Sequence, residues 1–323
     1  MTRQRLEQVQ VWIYLGAIIT GLALGSMAPR VAGPFEAVLW PVLGLLLYAT
    51  FTQVPLNHLP EAFRDGRFMG AVLIGNFILI PLAVWGLLVF LPNDPVIRLG
   101  VLLVLLVPCT DWYIAFTHLA GGDTRRAIAA TPVNLLVQLC LLPVYLWLFM
   151  GDAFIELLAA DRIALVFASL ILLPLLAAWA TERWAERRPA GERVVKTTGW
   201  LPVPLLATVV FLIAASQVQA VLGAIPVLGQ VTNVFLAFLV VAALIGVLLA
   251  RLFSLPAASG SALIFSLGTR NSFVVLPLAL ALAPQWQTAT VVIVFQSLVE
   301  LFGMVAYLWI VPRFLAPGAN AAP

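Results

Sequence analysis

The sequence predicts an all-α polytopic membrane protein with ten transmembrane helices in two inverted repeats of five. Of its 323 residues, 63% are hydrophobic and only 10% are charged, and the mean hydropathy is +1.08. A soluble domain of this length carries far more charge. Apolar windows of about 20 residues, long enough to cross a hydrocarbon layer of ~30 Å, recur along the chain. Most of this chain is therefore predicted to lie within a lipid bilayer.

The apolar windows define ten spans joined by short loops. We place the spans at about 10–29, 34–53, 69–91, 97–119, 127–150, 160–180, 199–222, 229–253, 257–283 and 288–312. Within a single transporter domain over 1–323, one repeat then covers about 8–151 and the other about 158–315. The longest polar connection, at 181–200, follows the sixth span. Because five is odd, the second repeat must be inserted upside down relative to the first, as in secondary transporters.

Basic residues give the orientation of the spans. With the N-terminus inside, thirteen of the 17 lysine and arginine residues fall in inside loops, and only Arg30, Arg98 and Arg162 fall in outside loops. This bias predicts a multi-pass protein of the cell (inner) membrane with both termini in the cytoplasm. The basic residues lie in short loops and form no continuous patch, so nothing indicates a nucleic-acid partner.

Two spans are interrupted at corresponding positions of the two repeats. The letters "PCT" (108–110) interrupt the fourth span, and "GTRNS" (268–272) interrupt the ninth. In hydrocarbon, a broken helix is tolerated only where protein or a watery cavity satisfies the freed backbone groups. One such break is equally well explained by a packing kink. A matched pair with polar residues at both breaks predicts a substrate site near the bilayer midplane.

Three formal charges lie near the bilayer centre: Asp111, Arg270 and Glu300, in the fourth, ninth and tenth spans. Each costs about 2.5–3.5 kcal/mol to insert, so each needs a partner, water or a changed protonation state. Arg270 stays protonated, and Asp111 is its candidate counter-ion. Glu300 is then left without a cation, so we expect it to bind and release a coupling proton, with Asp111 as the second candidate. The alternative is an ion triad that only holds three helices in register.

Cys109 is the leading candidate for a substrate ligand. It lies between Pro108 and Asp111 at the centre of the fourth span and offers a soft sulfur, which suits a thiophilic solute such as trivalent arsenic or antimony. The alternative is a small residue that packs well at a helix break. Cys140 has ordinary apolar neighbours, and we expect no ligand role for it.

Further candidate ligands are polar residues of the fifth and ninth spans. Arg270 and Asn271 stand at the ninth-span break, and Thr131, Asn134 and Gln138 recur at helical spacing on the fifth span. Of these three, Asn134 is the best candidate for a substrate contact. Interhelical hydrogen bonding is the alternative role for all three.

The sequence contains no recognisable enzyme motif. A P-loop, an HExxH pair and a nucleophile elbow are all missing. We therefore predict no catalysis, no cofactor and no resident metal. A membrane receptor that kept a transporter fold is a different class of function, but no part of the sequence suggests a signalling segment.

Four segments together resemble one transporter family. They are "PCT" with the following "GGD" turn (121–123), "PVNLLVQ" (132–138), "GTRNSFVVLPLALAL" (268–282) and "SLVELFG" (297–303). Together they resemble arsenite efflux permeases of the arsenical-resistance type, which belong to the bile acid:sodium symporter superfamily. The resemblance covers essentially the whole ten-span pattern.

The resemblance implies a panel domain and a core domain, with broken helices four and nine crossing each other. It also implies proton-coupled export of arsenite, in some members of antimonite too, with Cys109 and Glu300 at the positions of the family's functional cysteine and glutamate. Sodium-coupled relatives hold Na⁺ at the ninth-span break, where this chain has Arg270 and Asn271. A fixed cation there repels sodium and favours proton coupling or simple exchange. The alternative is an organic-anion or bile-acid-like carrier in which Arg270 receives the substrate anion.

Overall fold

The computed structural model describes residues 3–58, 63–151 and 165–315, and the regular elements in these ranges are helices. In chain order they are α1 (Arg3–Met27), α2 (Ala32–Phe51), α3 (Gly66–Ile74), α4 (Ile80–Leu87), α5 (Pro95–Leu105), α6 (Trp112–Leu119), α7 (Thr124–Met150), α8 (Leu173–Ala185), α9 (Pro189–Thr198), α10 (Pro202–Ser216), α11 (Val218–Leu252), α12 (Ala257–Gly268), α13 (Ser272–Ala281) and α14 (Gln287–Leu315). π-Helical turns at Gly75–Leu79 and Phe167–Leu172 precede α4 and α8.

Several helical segments are long and apolar enough to cross a membrane. Within the described ranges they are Pro29–Phe51, Gly66–Phe90, Thr124–Met150, Val218–Leu252 and Gln287–Leu315, and the pair α9 and α10, bent by 42°, adds a sixth only where its two helices are counted as one span. The apolar part of α1 and the helices α5, α12 and α13 are shorter. The composition therefore predicted the class correctly: the chain is an all-helical, multi-pass membrane protein.

Two boundaries differ from the sequence-based expectation. The polar connection at 181–200 contains the end of α8 and the amphipathic helix α9, which begins with Pro189 and carries an exposed Glu192–Lys196 pair at 2.7 Å. The seventh span ends early, at Ser216, and α11 then runs for 35 residues through Pro226. A proline removes one backbone hydrogen bond, and the apolar sequence on both sides still favours a helix. The predicted sixth span begins at 160, outside the described residues.

One compact unit contains the described residues of 1–53, 155–228 and 273–294. Within it, α10 packs against α1 and α2, and α8 packs against α2 and α9. Small residues allow α1 to approach α10 closely, since a Cβ atom on Gly21 would lie 2.6 Å from the carbonyl oxygen of Phe211. This close approach is typical of helix pairs in membranes.

The second compact unit contains the described residues of 54–154, 229–272 and 295–323. Within it, α12 packs against α3, α6 and α7, and α7 also packs against α5 and α6. The interior is mostly apolar, so buried polar side chains stand out as candidates for function. They include Asn76, Asn134, Gln138, Arg270, Asn271, Gln296 and Glu300.

Candidate functional site

The fourth span is broken between α5 and α6. Helix α5 ends at Leu105, and α6 begins at Trp112. Pro108, midway between them, has no N–H to donate and disfavours helical backbone in the residue before it. The helical hydrogen-bond ladder therefore stops here, and Cys109 lies in the break.

The ninth span is broken between α12 and α13. Helix α12 ends at Gly268, and α13 begins at Ser272. Thr269 has extended backbone, with φ −100° and ψ 142°. Both breaks that the sequence predicts are therefore present.

The two breaks lie side by side and form a short antiparallel bridge. The N–H of Cys109 donates to the carbonyl of Thr269 at 3.1 Å, and the N–H of Asn271 donates to the carbonyl of Val107 at 2.8 Å. Each break thus satisfies backbone groups that the other leaves without a helical partner. This is the condition under which irregular backbone is stable at membrane depth.

Cys109 and Asn271 are brought together at this crossing, as the sequence predicts. Both are 3% exposed, and the Cys109 sulfur accepts a hydrogen bond from the N–H of Asp111 at 3.4 Å. The Asn271 amide donates to Thr110 Oγ1 at 3.0 Å. Cys140, by contrast, is exposed on α7.

Glu300 is buried on α14 and is held through one of its two carboxyl oxygens. Its Oε2 accepts hydrogen bonds from the N–H of Arg270 at 2.8 Å and from Nε2 of Gln296 at 2.7 Å. The Ser272 hydroxyl donates to Gln296 Oε1 at 3.2 Å, which fixes the orientation of the amide. The other carboxyl oxygen, Oε1, has no hydrogen-bond partner within the described residues. It is therefore the oxygen at which a proton can be added without breaking a hydrogen bond.

A single peptide group connects Cys109 with Glu300. The carbonyl of Thr269 accepts the Cys109 N–H, and the N–H of Arg270, which belongs to the same peptide group, donates to the Glu300 carboxyl group. The candidate soft ligand and the candidate proton carrier therefore lie on opposite sides of one planar unit.

The Arg270 side chain is buried and bound to neutral groups. Its guanidinium carbon lies 5.3 Å from the ring centroid of Phe238, a cation–π contact. Its four hydrogen bonds, of 2.6 to 3.2 Å, go to the oxygens of Leu105, Asn76, Ser266 and Leu267.

The ion pair between Arg270 and Asp111 stays a prediction. Asp111 occupies the N-cap position of α6 and is half-buried. Three of the oxygens that bind the guanidinium are carbonyls from the C-terminal turns of α5 and α12. The negative ends of two helix dipoles thus converge on this cation and stabilise it.

Asn76 is a site residue that the sequence analysis missed. It lies in the π-helical turn Gly75–Leu79, where its Nδ2 donates to Ser266 Oγ at 3.1 Å and its Oδ1 accepts from Arg270 at 2.9 Å. Its signal in the sequence is a lone amide in an otherwise apolar span, a feature that often marks function. π-Helical turns are also frequent at functional sites.

Asn134 and Gln138 lie one turn apart on α7 and are 0% and 1% exposed. No atom of either side-chain amide has a hydrogen-bond partner in the part of the chain that the structure describes. Thr131, one turn earlier, bonds instead to the hydroxyl of Tyr113 and to the carbonyl of Ala127. Buried amides without partners are rare and indicate a polar ligand or solvent at this face of α7.

Comparison with known families decides the class of the protein. The model of the sodium bile acid symporter family matches residues 40–224, which is more than half of the chain. The chain belongs to the sodium bile acid symporter family. It is therefore a membrane transporter and not an enzyme.

A relative of this symporter-family protein carries a more specific description. The arsenical-resistance protein Acr3 of Corynebacterium glutamicum is 26% identical to it over 153 residues, which is 45% of this chain and 41% of that relative. The match thus spans about two-fifths of the length of the curated relative. The similarity agrees with the resemblance in the four sequence segments, and both indicate the same branch of the symporter family.

Proposed function

We propose that this symporter-family protein exports arsenite, or the chemically related antimonite, across the cell membrane by proton antiport. One observation carries the proposal: the backbone N–H of Cys109 and the carboxyl group of Glu300 bind opposite sides of one peptide group at the crossing of two broken helices. A soft ligand and a titratable group at one crossing suit a carrier of a thiophilic solute. The similarity to Acr3 supports the substrate class.

Cys109 acts as a transient ligand for the metalloid. Trivalent arsenite is the uncharged acid As(OH)₃ near neutral pH, so it needs no counter-ion in the site. An As–S bond forms as the thiol proton and one hydroxyl group leave together as water, and hydrolysis by one water reverses the step. A single thiol holds arsenic weakly, which suits a carrier that must release its substrate. Asn271 and Asn134 are the proposed partners of the remaining hydroxyl groups.

Glu300 carries the coupling proton. Its Oε1 has no partner within the described residues, whereas Oε2 stays bound to Gln296 and to the peptide group that also binds Cys109. Adding or removing the proton changes the charge next to this peptide group. Proton binding at Glu300 and metalloid binding at Cys109 are therefore coupled through the peptide group. Asp111, at the start of α6, is the second candidate for the proton.

Arg270 supports coupling to protons rather than to sodium. Carbonyl oxygens at half-helix ends are the ligands that transporters use for Na⁺, and in this protein the Arg270 guanidinium binds three of them. A second cation there would be repelled. The same hydrogen bonds count against an organic-anion carrier, because only Nε of Arg270 lacks a partner within the described residues.

The proposal includes ten spans in two inverted five-span repeats, at about 8–151 and 158–315, with both termini in the cytoplasm. The paired breaks in α5–α6 and α12–α13 support it, since they fall at corresponding positions of the two repeats. The thirteen-to-three distribution of basic residues supports the orientation.

Arsenite accumulation in a sensitive host tests the proposal. Cells that express the wild-type protein are expected to accumulate less arsenite than cells with an empty vector, and Cys109→Ser is expected to abolish the difference. Cys140→Ser is the matched control, because this cysteine is exposed on α7, and it should export like wild type at equal membrane abundance. Undiminished export by Cys109→Ser would exclude the thiol as ligand.

A further inference from the structure

A large, basic cavity lies at one end of the second compact unit, where α3 and α7 begin. Its volume is about 1360 Å³, and four arginines and two aspartates are part of its lining. They are Arg64, Arg67, Arg125, Arg126, Asp65 and Asp123. The cavity is lined by a different set of residues from the helix crossing, and the proposed transport chemistry does not use it.

Arg126 neutralises the carboxylates of this cavity. Its guanidinium pairs with Asp65 at 2.6 Å and with Asp123 at 2.9 Å, and it also donates to Ser259 Oγ. The two carboxylates also cap helices, since Asp65 accepts the N–H of Phe68 and Asp123 accepts the N–H of Arg126. Both acidic groups are thus occupied by contacts that build the cavity wall.

The other three arginines of the cavity remain available for a ligand. Arg64, Arg67 and Arg125 are exposed, and no ion pair joins any of them to another residue in the described ranges. The lining therefore carries two more cations than carboxylates. Guanidinium groups that converge on one cavity favour a phosphate group, which they bind through paired N–H donors.

The position of the cavity indicates where that phosphate comes from. The apolar spans Gly66–Phe90 and Thr124–Met150 both begin at it, so it lies at the level where a bilayer has its headgroups. Ile128 lines it and is 41% exposed, and Phe63, next to Arg64, is 58% exposed. Apolar side chains beside basic ones match a ligand with an anionic head and an acyl chain.

We propose that this cavity binds the phosphate of an anionic phospholipid at the membrane surface. Arg64, Arg67 and Arg125 bind the phosphate oxygens, Ile128 and Phe63 contact the acyl chains, and Arg126 holds the wall through Asp65 and Asp123. The site joins the beginnings of α3 and α7, so a bound lipid stabilises the second compact unit.

The test compares the thermal unfolding of purified full-length protein in three settings. These are lipid discs of phosphatidylcholine alone, discs that also contain phosphatidylglycerol, and phosphatidylcholine discs with inorganic phosphate in the buffer. We expect phosphatidylglycerol to raise the unfolding midpoint and inorganic phosphate to have no comparable effect. An equal effect of inorganic phosphate would overturn the assignment to a lipid.

Matched charge variants localise the effect. One triple variant replaces the three cavity arginines: Arg64→Gln/Arg67→Gln/Arg125→Gln. It should abolish the rise in the unfolding midpoint that phosphatidylglycerol causes, and weaken phosphatidylglycerol binding by about fivefold for each arginine removed. The control triple variant, Arg187→Gln/Arg188→Gln/Arg193→Gln, removes three exposed arginines from the other compact unit. Phosphatidylglycerol should still raise its unfolding midpoint. If both triple variants lose this rise in midpoint equally, phosphatidylglycerol binds according to the net charge of the protein, and the proposed site is wrong. Both variants keep Arg126, so the cavity wall is preserved.

Discussion

Cys109 and Glu300 face each other across one peptide group, with hydrogen bonds of 3.1 Å on the cysteine side and 2.8 Å on the carboxyl side. The peptide group is planar and polarisable, so a change of charge on Glu300 alters the hydrogen bond to the Cys109 backbone. A ligand on the sulfur and a proton on the carboxyl group are therefore expected to influence each other's binding. Such reciprocity is what an antiporter requires.

Glu300→Gln should abolish proton-driven arsenite transport. The amide oxygen can still accept the N–H of Arg270, so the helix crossing should persist, but the side chain can no longer carry a proton. In proteoliposomes with an imposed pH gradient, we expect arsenite flux to fall to the level of empty liposomes. Glu36→Gln removes an exposed carboxyl group from the other compact unit and should transport normally. If Glu300→Gln shows a flux as large as wild type, Glu300 does not carry the coupling proton, and Asp111 becomes the candidate.

Arg270→Gln should destabilise the protein and create a response to sodium. The variant leaves the carbonyls of Leu105, Ser266 and Leu267 without their cation, at a cost of roughly 2–4 kcal/mol. Sodium should then raise the thermal unfolding midpoint more than choline does at equal ionic strength. Arg270→Lys keeps the charge and should show no such difference. If sodium raises the unfolding midpoint of wild type and Arg270→Gln by the same amount, the guanidinium does not occupy a position that a sodium ion could otherwise take.

Much of this site could be predicted from the sequence because its signals are local. Pro108 and Gly268 interrupt two apolar spans, and Glu300 is a carboxyl group within a third, so each stands out in a one-dimensional pattern. The partners of Arg270 could not be predicted in the same way. Three of them are backbone carbonyls, which every residue has, and only the three-dimensional convergence of two helix ends selects them.

Asp65→Asn should weaken the start of α3 in a way that depends on pH. The N–H of Phe68, and then Arg126, hold the pKa of Asp65 below its ordinary value of 3.8. A lowered pKa in the folded state stabilises the protein above that ordinary value, and this contribution is lost as the pH falls through the folded pKa. Asparagine keeps the cap, so we expect a loss of only about 0.5–1 kcal/mol at neutral pH, limited by solvent screening.

Unfolding midpoints at neutral pH and near pH 3 measure this contribution. The difference between wild type and Asp65→Asn should shrink at the lower pH. Asp94→Asn is the control, because Asp94 caps α5 through the N–H groups of Val96 and Ile97 and has no ion pair within the described residues. Its substitution should change little at either pH. A difference for Asp65→Asn that persists unchanged in acid would exclude the ionised carboxylate as its cause.

Gly21→Ala should loosen the packing of α1 on α10, whereas Gly16→Ala on the same helix should not. A Cβ atom at Gly21 would lie 2.6 Å from the carbonyl oxygen of Phe211 and 3.0 Å from Cβ of Ala214, and a backbone carbonyl in a helix cannot move aside alone. We expect a loss of roughly 1–3 kcal/mol, as for other overpacked contacts. A Cβ atom at Gly16 meets no atom within 4 Å. That variant should unfold at or slightly above the wild-type temperature, because alanine favours a helix more than glycine does. Equal midpoints for the two variants, measured by tryptophan fluorescence on heating, would contradict the close approach of the two helices.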